Sequence, residues 1–321
     1  MLSFRSSYSL LLFSAAAAAA PTAALGCSVC GCSLSSDWAS QGYGTHPGLQ
    51  GDLRFEYYDQ DNLRSGLSSV DLNRYPLPNG QEIQQDTLTR GTWLDLDWVQ
   101  SPQWAVALQL PYYDRFHSTI APGDTGISES RASGPGDARV EARWQQYGSV
   151  SSFNLQFGLK LPTGRFDQDF MDGPEAGSLL DRGLQLGTGT TDALAGASYF
   201  RRLGQNWGGF GQLSVDQPLA ARDGFLPSSS VNLNTGVRYL NTSIVTPQLQ
   251  ANFRWDSREH GPEADTPNSG DTAVFLSPGV TVEAGSAGSF FAFVQLPAYQ
   301  HVNGLQLEPR WLLSLGVRWK L

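Results

Sequence analysis

Three cysteines crowd one stretch, CSVCGCSLSSDW, as Cys27, Cys30 and Cys32. Thiolates at this spacing suit a soft metal such as Cu(I) or Zn, with His46 as a further ligand. In an oxidising compartment two of them could instead join as a disulfide, leaving one thiol over. Acylation of Cys27 is a third use, although the preceding Ala-Leu-Gly puts Leu25 one position off the usual lipobox order. No CxxCH run occurs, so covalent haem attachment is not indicated. The four histidines, His46, His117, His260 and His301, fall in a linker, in loops or at strand ends. None is paired with a recognisable serine or carboxylate motif, which nucleophilic catalysis would need. Enzyme activity is not expected.

A second set of chemistry-bearing side chains is spread along the chain at a period of two. Arg139, Glu141, Arg143 and Gln145 share one parity, and Ala138, Val140, Ala142 and Trp144 share the other. Lys160 belongs with Asn154 and Gln156, opposite Phe153, Leu155, Phe157 and Leu159. Asp95 and Asp97 oppose Leu94, Leu96 and Trp98 in the same way, and Arg238, Arg254 and Arg318 each lie between outward-parity apolar residues. This is the alternation of a pleated strand with one apolar and one polar face. In a closed sheet Asp95, Arg139, Glu141, Arg143, Lys160, Arg238, Arg254 and Arg318 would line a wet bore of mixed charge. Such a lining suits the passage or weak binding of small solutes, or serves only as ion-pair ladders that brace a narrow barrel.

The elements that must position these residues are strands. Residues 134 to 164 read as one hairpin with a very short link, and about twelve strands follow the same pattern between residue 51 and the C-terminus. A soluble sandwich would show the same alternation. Two further features favour a membrane barrel. The links alternate short and long, as tight periplasmic turns and longer extracellular loops do, and an even strand count leaves both ends of the barrel on the periplasmic side. Trp98, Trp104, Trp144, Phe153, Tyr199, Trp207, Tyr239, Phe290 and Trp319 all fall near a short link or the C-terminus, as an aromatic belt requires. Tyr112, Trp255, Tyr299 and Trp311 would mark the opposite rim. The chain closes on Trp319-Lys320-Leu321, with its aromatic residue two positions earlier than in many such barrels.

The N-terminus has Arg5 ahead of an apolar run from Leu10 to Ala20 and small residues around Ala24 to Gly26. That is the layout of a secretory signal peptide, too short for a spanning helix. The expected organisation is a signal peptide over 1–26, a periplasmic cysteine-bearing linker over 27–47 and a barrel over 48–321. The expected fold is all-β, a closed antiparallel transmembrane barrel of about twelve strands in a bacterial outer membrane. Charged residues make up only 16% of the chain and its formal charge is −9. With no cluster of Lys and Arg to neutralise phosphates, nucleic acid is excluded as a partner.

The segments GDARVEARWQQY, FGLKLPTGRFD and LQLGTGTTDALAGASYF resemble the outer-membrane family named after the meta-pathway of phenol degradation. The similarity runs over about residues 134 to 321, through LSPGVTVEAG and LSLGVRWKL, and its most characteristic pieces are Lys160-Leu161-Pro162-Thr163-Gly164 and Gly187-Thr188-Gly189. These are strand-to-loop junctions where Gly and Pro serve geometry. The resemblance implies an outer-membrane barrel that admits hydrophobic or aromatic compounds. The expected function is a passive channel or uptake porin for small solutes, with outer-membrane lipid around it. The alternative is a barrel anchor whose cysteines bind copper or zinc or dock a periplasmic redox partner. The cysteine segment lies outside the resemblance.

Overall fold

The structure is a computed structural model that describes residues 34, 39–43, 47–72, 75–240, 244–285 and 288–320. The signal segment, Cys27, Cys30, Cys32 and His46 lie outside the described residues.

The strands in chain order are β1 (Gly48–Gln60), β2 (Asn62–Gly66), β3 (Ser68–Ser69), β4 (Ile83–Val99), β5 (Trp104–Ile120), β6 (Ser128–Pro135), β7 (Arg139–Tyr147) and β8 (Ser151–Lys160). They continue as β9 (Asp192–Leu203), β10 (Trp207–Pro218), β11 (Ser230–Tyr239), β12 (Val245–Asp256), β13 (Asp271–Glu283), β14 (Ser289–Glu308) and β15 (Leu312–Lys320). Twelve of them form a closed antiparallel barrel, in which β1 pairs with β4 on one side and with β15 on the other. Asp52 faces Arg318 across that closing seam. Closure leaves no strand edge in the wall, which a bilayer demands because it offers lipid-exposed backbone groups no partner. Among the described residues no helix is long and apolar enough to cross a membrane.

The period-two pattern decides what faces out. Leu53, Val106, Phe157, Leu213, Leu249 and Leu315 are among the exposed apolar side chains of the outer wall. Trp98, Trp104, Tyr199, Trp207 and Phe290 stand exposed around the short-turn end, and Tyr112, Trp255, Tyr299 and Trp311 around the other. The rings pair across strands: Trp207 meets Tyr239 edge-on at 5.0 Å, and Tyr57 stacks on Trp311 at 5.5 Å. Trp104 and Tyr112 lie eight positions apart on β5. That is about 26 Å of strand at ~3.3 Å per residue, or roughly 20 Å of bilayer at the ~40° tilt usual for such barrels.

Beyond the long-loop rim the sheet grows a collar. β6 pairs with the far half of β5, and β2 with the far half of β14. Under it Leu63, Ile83, Ile120, Leu305 and Leu307 form an apolar cluster. The sequence pattern places a turn at residues 301–304 and ends the preceding strand near 299. The observed strand runs on to Glu308, because Leu305 and Leu307 bury themselves in this cluster and the backbone there pairs with β2. Likewise the strand expected from residue 187 begins at Asp192, since residues 187–191 are drawn into the loop that covers the bore.

Candidate functional site in the bore

All eight side chains expected in the bore are inside the barrel. Asp95, Arg139, Glu141, Arg143, Lys160 and Arg254 line a cavity of about 490 Å3, and Arg238 and Arg318 lie buried nearer the short-turn end. Their positions follow from strand parity alone, with neighbouring inward side chains falling opposite one another in register.

Carboxylates face these bases and Arg54, and apart from Asp95, Asp97 and Glu141 the sequence pattern had not marked them. Arg54 reaches Glu56 at 2.8 Å and Asp95 at 3.7 Å. Arg139 spans from β7 to Asp216 on β10 at 3.2 Å, and Arg143 pairs with Asp97 on β4. Lys160 pairs with Asp192 and lies 3.9 Å from Asp137. Arg254 holds Asp256 at 3.0 Å and Asp271 at 2.9 Å, and Arg318 holds Asp52 at 3.1 Å. Bracing and an open cavity therefore coexist. Parity could have found most of these partners: Glu56 and Asp52 share the inward parity of β1, as Asp216 does on β10. What the sequence does not show is which base reaches which acid, since Arg139 and Arg143 pass over intervening strands.

Aromatic faces also reach this space. Trp93 lines it, donates from Nε1 to Glu56 Oε2 at 3.1 Å and lies under the Arg54 guanidinium, 5.3 Å from ring centre. Tyr113 lies beneath Arg115 at 5.6 Å.

The long-loop mouth is covered by residues 161–191, folded around Phe170, Leu180 and Leu184. One carboxylate anchors both ends of this loop. Asp137 accepts from the Gly164 amide at 2.9 Å, from the Thr188 amide at 2.9 Å and from the Thr188 hydroxyl at 3.0 Å. Lys160 adds a bond to Thr188 Oγ1 at 3.0 Å. The two glycine-bearing motifs thus meet face to face. A Cβ on Gly164 would stand 2.8 Å from the Gly187 Cα, and one on Gly187 would stand 2.5 Å from the Gly164 carbonyl oxygen. Backbone on both sides leaves no room for a side chain. Arg115 secures the loop's far end through the carbonyls of Leu184 at 2.8 Å and Gln185 at 3.2 Å.

Two loop carboxylates there are poised to titrate. Burial pushes Asp265 up to about 6, against the hydrogen bonds from Asn268 that hold it down. Asp181 is raised well above the ordinary carboxylate range by burial and by Glu82, Asp265 and Glu259 around it.

The short-turn mouth is closed by different means. Residues 39–43 enter it, and Ala39, Ser40 and Gln41 are wholly buried. Arg238 donates to the Gln41 carbonyl and lies 3.8 Å above the Tyr43 ring, with Arg318 5.4 Å from the same ring. Gly42 turns the segment at φ +75°, and a Cβ there would run into the Phe200 ring. No sequence signal marked this segment for the bore, because five short residues carry no period.

Among the described residues no group of three or more His, Cys, Asp or Glu side chains is arranged to hold a metal ion. His117 is buried and shares a 2.8 Å hydrogen bond with Thr87.

No protein-family model matches the chain, and no curated protein matches it. Among solved structures it is similar to the COG4313 outer membrane channel from Pseudomonas putida F1. The two share 13% identity over 87% of this chain and 98% of that one, with a TM-score of 0.64. Similarity to the NanC porin is weaker, at 9% identity over 84% of this chain and all of that one, with a TM-score of 0.46. The first likeness is one of fold, that of bacterial outer-membrane barrels.

Proposed function

We propose that the chain is an outer-membrane channel for small solutes, with its long-loop end outside the cell and its short-turn end in the periplasm. The observation that carries this reading is the division of one closed sheet into an apolar outer wall with two aromatic rims and a charged bore holding a cavity of about 490 Å3. A bilayer accounts for the first face, and water with a polar solute for the second. The likeness in fold to a protein described as an outer membrane channel supports the same reading. The resemblance of residues 134–321 to the phenol meta-pathway family favours solutes with an aromatic or apolar part. Trp93 and Tyr113 supply ring faces in the cavity for them.

On this reading residues 39–43 are the stopper on the periplasmic side, and the eight inward charges are the walls of the path. The test is reconstitution of the purified chain in planar bilayers, where discrete conductance steps are expected. Persistent silence, under conditions in which the barrel is folded, contradicts the proposal.

A further inference from the structure

We infer that the bore is selective for cations: its cavity gathers positively charged small solutes and turns anions away. This rests on the channel reading and names the solute class for it. The cavity is lined by seven basic and eleven acidic side chains, and with Arg318 set against Asp52 of the lining its wall is negative by three charges. Most of these bases are paired. Arg54, Arg139, Arg143, Lys160 and Arg254 each sit against at least one carboxylate, and Arg54, Lys160 and Arg254 sit near two. A base neutralised in this way repels little of what passes it. The other two bases of the lining point their charge at neutral groups. Arg115 gives its hydrogen bonds to Thr89 and to the carbonyls of Leu184 and Gln185, while Arg182 donates to the Thr188 carbonyl between the rings of Phe166 and Phe225.

A volume of 490 Å3 corresponds to a sphere roughly 10 Å across, so every point inside lies within about 5 Å of the wall, well inside the Debye length of about 10 Å at 0.1 M salt. Low-dielectric walls of one prevailing sign concentrate ions of the other. Arg238 and Arg318 stand outside this lining, toward the periplasmic mouth. There Arg318 is matched by Asp52, and Arg238 faces Tyr43 and the Gln41 carbonyl.

The experiment is the zero-current potential of the full chain in a planar bilayer under a tenfold KCl gradient. The expected permeability ratio of potassium to chloride is at least about threefold. The double variant Glu141→Gln with Glu259→Gln, which removes two of the lining acids, should bring it at least halfway toward unity. A ratio at or below one, or one that the double variant leaves unchanged, overturns the inference while the channel reading stands. Absence of any conductance sinks the channel reading itself. The charge of the cavity is then judged by fluorescence quenching of Trp93, taken as the difference between wild type and Trp93→Phe. Relative to each ion's quenching of free tryptophan, cesium should quench this component more than iodide does, and the reverse order overturns the inference without reference to conduction.

Discussion

The two mouths of the bore are closed by opposite kinds of construction. At the short-turn end residues 39–43 lean on two arginines and one phenylalanine ring, and none of these five residues lies in a strand. At the long-loop end residues 161–191 leave the wall and return to it, bury an apolar cluster of their own and are tied at both roots to Asp137. The first closure is a short segment seated on arginine and aromatic side chains, and the second is a folded element held at both ends. Local contacts of the first kind open at low free-energy cost, whereas a loop with its own core opens with much of its surroundings. On the channel reading the removable stopper is therefore the N-terminal one.

The strongest way to break the comparison is to delete residues 34–43. Bilayer recordings should then show conductance raised several-fold over wild type, with the barrel still folded as judged by heat-modifiable migration. Unchanged conductance would put the constriction at the other mouth. Arg318→Ala probes the same end energetically. It leaves Asp52 buried without the base at 3.1 Å, a loss of the kind that costs roughly 3–5 kcal/mol. A clearly lower urea midpoint for unfolding from lipid is expected, and a shift too small to resolve would mean that water reaches the seam.

At the long-loop end Asp137→Ala removes the acceptor of three hydrogen bonds. With charge-assisted bonds worth about 1.5 kcal/mol each, local opening should become easier by roughly 4–5 kcal/mol. Limited proteolysis should then cut within 165–187 much faster than in wild type, with the wall strands intact. Equal cutting rates would show that the apolar cluster alone holds the loop.

The smallest effect sharpens the contrast by pH. Asp265 and Asp181 have folded pKa values above the unfolded one, so the closed loop binds more protons than the open one. Its stability is fullest below about pH 4 and is lost as pH rises from there through the raised folded values, about 6 for Asp265. Hydrogen exchange of loops 161–191 and 257–270 should slow as pH drops from 7 to 4, after correction for the intrinsic rate, while the short-turn end shows no such trend. The opposite slope would mean that these acids are ionised and paired in the closed loop.

Much of the barrel is legible in sequence because its environment alternates with the same period as its side chains. Phe157 and Gln156, one position apart, meet lipid and bore, and the chain states this residue by residue. The inward set from Asp95 to Arg318 was readable for the same reason. What escapes this reading is whatever the period does not govern. The extension of β14 past residue 304 depends on Leu305 and Leu307 finding Leu63, more than two hundred residues away in the chain. The use of Gly164 and Gly187 as a backbone crossing appears only when their strands are neighbours. Pairs such as Arg139 with Asp216 depend on side-chain reach over two strands, and the entry of Gln41 and Tyr43 into the bore depends on two arginines from distant strands. Parity reports the face, and tertiary proximity selects the partner.

Successive residues of each strand alternate between hydrocarbon and bore. The most direct measurement is a nitroxide scan from Ser152 to Leu159 on β8, in lipid vesicles, with Cys27, Cys30 and Cys32 first replaced by serine. Collision rates with molecular oxygen should peak at Phe153, Leu155, Phe157 and Leu159 and fall at each residue between. A scan with no two-residue period, or one in which the apolar positions are the shielded ones, would contradict the account.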